Sequence, residues 1–242
     1  MQQSTWAKAL SGQERLFVSL ADGVSHTMLQ LARLSEQAGS TPRGTQAERW
    51  QIVRDLSEAS LQLLEGYTLT MRLQGGVAQP ELEPLTVGSL LTETKRLLEP
   101  YARQLSVQLA LDVAHGLEPI ISDRSIVQSA LLSLGQVMVT AQAQSDAAER
   151  TVYLGAHKGR YGVVAGWYCQ NLPLSADALR RARKLQGQAQ QPYSQLVGGP
   201  ASGVFIAESL LHTVSTKLHV ARYHNATGLA ATLPLCNQLQ LV

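Results

Sequence analysis

The sequence predicts an α+β fold, in which a long antiparallel helical hairpin is followed by an α/β sandwich with a mixed sheet. Two observations lead to this prediction. Residues 4–34 contain no proline and repeat apolar residues every seven positions, and residues 50–71 return apolar residues at helical spacing. After residue 86, stretches of helical spacing alternate with short β-rich runs, a pattern that is typical of helices packed on one sheet.

The composition is that of a globular chain with room for a buried core. Of its 242 residues, 45% are hydrophobic and 16% are charged, and no apolar run approaches the length of about 18 residues that a membrane span needs. The formal net charge of +2 lacks the excess that marks a nucleic-acid binder. Cys169 and Cys236 lie far apart and form no CxxC pattern, so we expect a cytoplasmic protein without a disulfide framework or a zinc site.

The hairpin is expected to assemble with a second copy of the chain. Its first helix places Phe17, Val24 and Leu31 at one heptad position, and a run of turn-forming residues at 39–44 separates it from the second helix. Two such helices carry an apolar stripe wider than one partner helix covers. The sequence therefore predicts a homodimer that forms a four-helix bundle through residues 5–73.

The second half of the chain begins after a hinge at residues 74–84, which divides residues 1–76 from residues 81–242. The helix over 123–143 is capped by Ser122 or Asp123. The elements predicted in order are a helix over 86–104, strands over 107–113 and 120–121, the helix over 123–143, strands over 151–156 and 162–169 joined by a hairpin loop at 157–160, a helix over 174–185, an irregular stretch over 186–200, a helix over 203–213, and a hairpin of strands over 217–223 and 228–233.

This order of elements, with several local sequence words, resembles the cytoplasmic core of two-component sensor histidine kinases. The words are VGSLL at 87–91, LEPYA at 98–102, ISDRSIVQSALL at 121–132 and the closing GLAATLPL at 228–235. The resemblance covers residues 5–73 as the dimerising hairpin and residues 81–235 as an ATPase-like domain. It implies a histidine-kinase-like ATPase fold and a role in two-component signalling.

The positions that hold nucleotide in that family differ in this chain. The family's magnesium-holding asparagine corresponds to Gln136, whose side chain is one methylene longer. The family's adenine-binding carboxylate corresponds to Cys169, and Asn171 stands where the family has glycine. Because a thiol does not replace a carboxylate acceptor, the loss of that hydrogen bond alone weakens ATP binding by about 10- to 150-fold.

The family's phosphate-binding glycines correspond to a run in which Gly198, Gly199 and Gly203 remain. Pro200 removes one amide donor from this run, and Ala201 takes the place of the family's first glycine. The resemblance therefore implies a degenerate nucleotide site that uses no cofactor and no metal. The alternative is an active kinase that binds ATP and Mg²⁺.

His26 is the candidate phosphoacceptor on the first hairpin helix. It lies two positions beyond Val24 and off the apolar seam, which predicts a solvent-facing imidazole. The family's acidic residue after this histidine is Thr27 here, so no carboxylate orients the ring. Two interpretations follow: an ordinary surface histidine, or a phosphoacceptor in a dimeric phosphotransferase that relays phosphate between response regulators.

A basic cluster on the helix predicted over 174–185 is the candidate contact for a partner. It consists of Arg180, Arg181, Arg183 and Lys184, which form either a solvated face or a contact for an acidic surface such as a receiver domain. The function that the sequence favours is a dimeric pseudokinase of the two-component type that acts through protein–protein interaction with a response regulator or another regulator. The alternatives are the phosphotransferase and the active histidine kinase.

Overall fold

A computed structural model describes residues 46–147, 149–170, 172, 174–185, 193–197 and 201–236. The helix predicted over residues 4–34, and with it His26, lies outside the described residues, as do Asn171, Gly198 and Gly199. The described helices are α1 (Gln46–Gln74), α2 (Val87–Gln104), α3 (Arg124–Ala143), α4 (Ala176–Leu185), α5 (Ser194–Val197) and α6 (Ser202–Thr213). The strands are β1 (Glu83–Leu85), β2 (Gln108–Val113), β3 (Ile120–Ser122), β4 (Thr151–Gly159), β5 (Gly162–Cys169), β6 (Leu218–Tyr223) and β7 (Ala226–Leu233).

The mixed sheet expected from the sequence is present. Its five strands lie in the order β2-β4-β5-β7-β6, with β2 parallel to β4 and the remaining neighbours antiparallel. A second sheet pairs β1 with β3, so that Leu85 lies opposite Ile120. The connection from β2 to β4 passes through α3, as a parallel pair requires a crossover.

Helices cover one face of the five-stranded sheet, and α3 is central among them. The indole of Trp167 on β5 lies against α3 and donates a hydrogen bond to the carbonyl oxygen of Leu131 at 2.7 Å. Gly135 makes this contact possible, because a Cβ at that position would lie 2.8 Å from the Trp167 ring. The absence of a side chain at Gly135 thus sets the distance between helix and sheet.

Helix α1 packs on this helical layer. Leu56, Ala59 and Leu63 on α1 are buried in the same core as the sheet and the other helices. The helix ends at Gln74, where Gly76 takes a φ of +70° and its amide bonds to the carbonyl of Leu73. The hinge expected near residue 76 therefore follows a helix whose inner face is buried against the sandwich.

The linker after α1 is fixed to the start of α3. Asp123 is the N-cap of α3, and its carboxylate accepts a hydrogen bond from the amide of Ile126 at 3.1 Å. The other carboxylate oxygen accepts from the amide of Glu81 at 2.8 Å. Of the two caps that the sequence allowed, Asp123 is the one that forms.

Several predicted boundaries differ from the structure. His157 was expected in a loop at 157–160, but β4 continues to Gly159 because Gly159 still pairs with Gly162 on β5. Strand β7 begins at Ala226, two residues before its predicted start, since Ala226 pairs with Tyr223 on β6. The stretch predicted to be irregular includes the short helix α5.

One described helix, α3, is long and apolar enough to meet the length and composition of a membrane span. In this fold, 83% of the residues in its apolar window are buried inside the protein. The same apolar surface that passes this test is the surface that packs against the sheet and the neighbouring helices.

Candidate functional site

Gln136 lies on α3 and is directed at α1. Its side chain is 5% exposed, and its Nε2 donates hydrogen bonds to the carbonyl oxygen of Ala59 at 3.0 Å and to Oε1 of Gln62 at 3.1 Å. Its own Oε1 is buried and has no hydrogen-bond partner among the described residues. The atom that would have to reach a metal ion is thus enclosed between two packed helices.

Helix α1 crosses both α3 and α6. We call the surface that these two helices present to α1 the α3–α6 face. A Cβ placed on Gly66 would lie 3.3 Å from Ile206 on α6 and 3.3 Å from Ser133 on α3. This close approach occurs two turns along α1 from Ala59, which bonds to Gln136. Together the two contacts place α1 along the helical surface that the family resemblance assigns to nucleotide.

A buried carboxylate fixes the same helix to α2. Asp55 is 5% exposed, and its two oxygens accept hydrogen bonds from the amide groups of Gln51 at 2.6 Å and Gln104 at 2.8 Å. Sequence reasoning did not single out Asp55. Its position four residues after Gln51 on the inner face of a helix is the signal that could have identified it.

Gly203 is the second residue of α6 and serves helix packing. A Cβ at this position would lie 2.2 Å from the carbonyl oxygen of Ser133 and 2.8 Å from Val137 on α3. The cap residue Ala201 makes no side-chain hydrogen bond, and its carbonyl accepts the amide of Val204 at 3.0 Å. A position that the resemblance assigned to phosphate contact therefore packs closely against α3 on the side where a Cβ would lie.

Cys169 ends β5 inside the main core. Its side chain is fully buried, and its Cα lies opposite that of Thr227 on β7. Polar contact with an adenine amine calls for an acceptor such as a carboxylate, and this position offers sulfur in an apolar setting. Asn171, predicted beside it, is outside the described residues.

The segment before α6 is also packed into the core. Tyr193, Leu196 and Val197 are each at most 3% exposed. The hydroxyl of Tyr193 donates to Oε2 of Glu208 on α6. The described part of the connection between α4 and α6 is thus tied to the sandwich rather than standing away from it.

The predicted basic cluster on α4 divides into two kinds of residue. Arg180, Arg181 and Lys184 are exposed, and Arg180 makes an ion pair with Asp177 in which both side chains are about 70% exposed. Arg183 instead bonds to Glu208 on α6 and to the carbonyl oxygen of Leu218 on β6. Arg183 therefore joins three elements, while the other three cations face solvent.

The histidines of the second half lie mainly near the outer face of the sheet. His157 on β4 stacks on Tyr223 with ring centroids 4.9 Å apart, and His224 contacts the same tyrosine. Tyr168 on β5 also touches Tyr223. Among the described residues, no group of three or more His, Cys, Asp or Glu side chains is arranged to hold a metal ion.

An open polar cleft of about 520 Å³ lies at the start of β2 and β4. Its lining contains none of the predicted nucleotide-site residues; it consists of Ser106, Gln108, Ala147, Glu149, Arg150 and Thr151.

Comparison with solved structures identifies the fold. The chain is similar to the Acinetobacter baumannii histidine kinase AdeS, with a TM-score of 0.53 and 8% identity over 87% of this chain and 96% of that one. It is also similar to full-length ShkA in complex with AMPPNP, with a TM-score of 0.53 and 18% identity over 90% of this chain and 46% of that one. At these identities the likeness defines a histidine-kinase-like fold.

No protein-family model matches the chain, and no curated protein matches it. The class that fold and geometry define is therefore an α+β sandwich of the histidine-kinase type, whose α3–α6 face is covered by a helix of the same chain.

Proposed function

We propose that this chain is a signalling protein of the two-component type that does not use ATP and acts by binding other proteins. The observation that carries the proposal is the hydrogen bonding of Gln136 to Ala59 and Gln62. The amide group of Gln136, which would have to hold magnesium, donates its hydrogen bonds to α1. Its oxygen, the atom that would bind the metal, is buried beneath that helix.

Three further contacts support the absence of nucleotide binding. Gly203 abuts the carbonyl of Ser133, so the close packing of α6 on α3 accounts for this glycine without a bound phosphate. Cys169 is enclosed in the core, where it presents no charged acceptor. Tyr193 is buried, and its hydroxyl donates a hydrogen bond to Glu208 on α6, so the segment that precedes α6 is held against the core at Tyr193.

The dimer expected from the sequence belongs to this proposal. The outward side of α1 leaves Trp50 65%, Val53 39% and Leu61 56% exposed. Large apolar side chains in such a row favour a partner surface over contact with water. We propose that residues 5–45 and a second copy of the chain cover this row, which gives the hairpin within residues 1–76 and leaves residues 81–242 as the ATPase-like domain.

The partner surface of the proposal is the exposed part of α4. Arg180, Arg181 and Lys184 face solvent, and a receiver domain or another acidic regulator offers the complementary charge. The matched test is isothermal titration of a candidate receiver domain with wild-type chain, with the pair Arg180→Glu and Arg181→Glu, and with Arg103→Glu, an exposed arginine on α2. Binding that is lost only in the α4 pair, and that weakens with added salt, supports this surface.

Nucleotide binding is tested by calorimetry with AMPPNP and Mg²⁺, using ShkA as the positive control because its structure contains AMPPNP. We expect no heat of binding and no rise in thermal midpoint at millimolar nucleotide. A ligand at 100 times its Kd would add about 2.7 kcal/mol to the free energy of unfolding. A measurable rise that requires Mg²⁺ would support the active kinase instead.

The phosphotransferase alternative depends on His26, which is outside the described residues. A receiver domain phosphorylated on its aspartate is mixed with the wild-type chain or with His26→Gln. Transfer of phosphate to the wild type but not to His26→Gln would assign the relay role to this chain. No transfer to either chain agrees with a role through binding alone.

A further inference from the structure

The outer face of the five-stranded sheet, opposite the helices, carries its own small core. Side chains alternate along β5, so Trp167 points to the helices and Tyr168 points to the outer face. Tyr168 is fully buried there even though no helix covers this face among the described residues. The hydroxyl of Tyr168 has no hydrogen-bond partner in the described part of the chain.

The cover over Tyr168 comes from the tip of the β6–β7 hairpin, residues 222–225, which we call the strap. Tyr223 in the strap contacts the ring of Tyr168 at a centroid distance of 5.3 Å and stacks on His157 at 4.9 Å and 14°. Tyr223 also lies directly over Gly155, since a Cβ there would be 3.1 Å from its ring. The strap therefore rests on a floor made by β4 and β5.

The strap reaches beyond the strands next to it. Strands β7 and β5 lie between β6 and β4, a separation of about 14 Å in a flat sheet. His224 extends further to the far edge, where its Nε2 is 3.2 Å from Oδ2 of Asp112 on β2. The hairpin tip thus bends across the whole outer face and meets the opposite edge strand.

We propose that the strap is a pH-dependent latch, which lies closed over the outer face while the imidazole of His157 is neutral and opens when that imidazole takes up a proton. The geometry behind the proposal is the half-buried position of His157 beneath Tyr223. Its Nδ1 is buried with no partner among the described residues, so a proton added there would lack an acceptor. Opening the strap returns that nitrogen to water and uncovers Tyr168.

With one exception, the titratable groups around His157 disfavour its protonated form while the strap is closed. Burial is the main cause that lowers the pKa of His157, and repulsion from His219 on β6 and His224 in the strap lowers it further. Tyr168 and Tyr223 face it as neutral phenols, because burial raises the pKa of both. The exception is the pair of His224 with Asp112, which gains attraction on protonation but is largely exposed and screened.

The lowered pKa of His157 determines how closure of the strap depends on pH. The closed strap binds fewer protons at His157 than the open strap, so closure is favoured as pH rises and weakens as pH falls below the ordinary histidine value of 6.5. This inference stands independently of the proposed function, because it uses no nucleotide-site residue.

The test is hydrogen–deuterium exchange of the full chain at pH 7.5 and pH 5.5, with rates corrected for intrinsic exchange. We expect the corrected exchange rates of the strap amides to be higher at pH 5.5 than at pH 7.5, because the open strap binds a proton at His157 more readily than the closed strap does. Amides of α3 and the far-ultraviolet circular dichroism should stay unchanged, which separates strap opening from unfolding. Equal corrected strap rates at the two pH values overturn the proposal.

Two variants locate the effect. His157→Phe keeps a ring to stack on Tyr223 but cannot titrate, so its strap should exchange equally slowly at both pH values. Gly155→Val presses on Tyr223 and should open the strap at both pH values without unfolding the sandwich in urea. A His157→Phe strap that opens at pH 5.5 as the wild type does would show that another group is the sensor and would overturn the proposal.

Discussion

The side-chain nitrogen Nε2 of Gln136 lies 3.0 Å from the backbone carbonyl oxygen of Ala59, and this hydrogen bond joins two helices through residues that are 77 positions apart in sequence. Both residues are buried. The bond fixes the register of α1 on α3. Gln136, which corresponds to a metal ligand in the family that the sequence resembles, is here part of a helix–helix contact.

The first prediction concerns the strength of that contact. Gln136→Leu keeps the side-chain volume but removes the hydrogen bonds to the carbonyl of Ala59 and to Oε1 of Gln62. We expect the free energy of unfolding to fall by about 0.5–1.5 kcal/mol, the net contribution of a hydrogen bond, because the carbonyl of Ala59 still accepts its backbone bond within α1. Urea denaturation followed by circular dichroism measures the change.

Gln128→Leu on the same helix is the matched control for Gln136→Leu. The Nε2 of Gln128 is buried without a hydrogen-bond partner in the part of the chain that the structure describes. Its removal should leave stability unchanged or raise it, because no bond is lost. Equal losses in the two variants would mean that the contact of Gln136 with α1 contributes nothing specific.

The second prediction concerns Gly203. A methyl group at this position would meet the carbonyl oxygen of Ser133, a backbone atom that cannot rotate away. Gly203→Ala should therefore lower the free energy of unfolding by about 1–3 kcal/mol, as overpacking does. Gly88→Ala is the control, since its nearest neighbour, Val113, would be 4.0 Å from the new methyl group. An unchanged stability of Gly203→Ala would show that α6 stands away from α3.

Local patterns explain how much of the fold was predictable. The helix over 124–143 and the strand over 162–169 follow from helical spacing and from β-branched and aromatic residues, and both are present. The end of β4 was missed because Lys158 and Gly159 have turn-like composition. Pairing with Gly162 overrides that local preference, as tertiary context often does for strands.

The candidate site was less predictable because its contacts are distant in sequence. Resemblance placed Gln136 on the correct helix, but nothing local indicates that Ala59 is its partner. Likewise, the charges on α4 look equivalent in sequence, and only the fold separates Arg183, which bonds to Glu208, from its exposed neighbours. Long-range packing therefore decides which polar side chains remain available for function.

The third prediction separates structural from exposed cations on α4. Arg183→Met removes the donor that joins Glu208 to the carbonyl of Leu218. Since Glu208 is only 19% exposed, we expect a loss of about 1–3 kcal/mol in the free energy of unfolding. Arg181→Met should leave stability unchanged because that side chain faces solvent. Thermal denaturation of both variants distinguishes them, and equal midpoints would contradict the role of Arg183.

The last prediction concerns the pH dependence of the cap on α3. Burial raises the pKa of Asp123, but hydrogen bonds from Ser125 and from the amides of Glu81 and Ile126 outweigh it, and the pKa lies below the ordinary value of 3.8. The stabilisation is therefore complete above pH 3.8 and is lost as pH falls through the lowered pKa. Asp123→Ala should lower the free energy of unfolding by about 0.5–2 kcal/mol at pH 7.

Urea titrations at pH 7 and pH 3 measure the gap in the free energy of unfolding between wild type and Asp123→Ala, and this gap should narrow at pH 3. The control is Asp146→Ala, at an exposed position, which should match the wild type at both pH values. A gap that is the same at pH 3 would show that the carboxylate charge does not stabilise this helix.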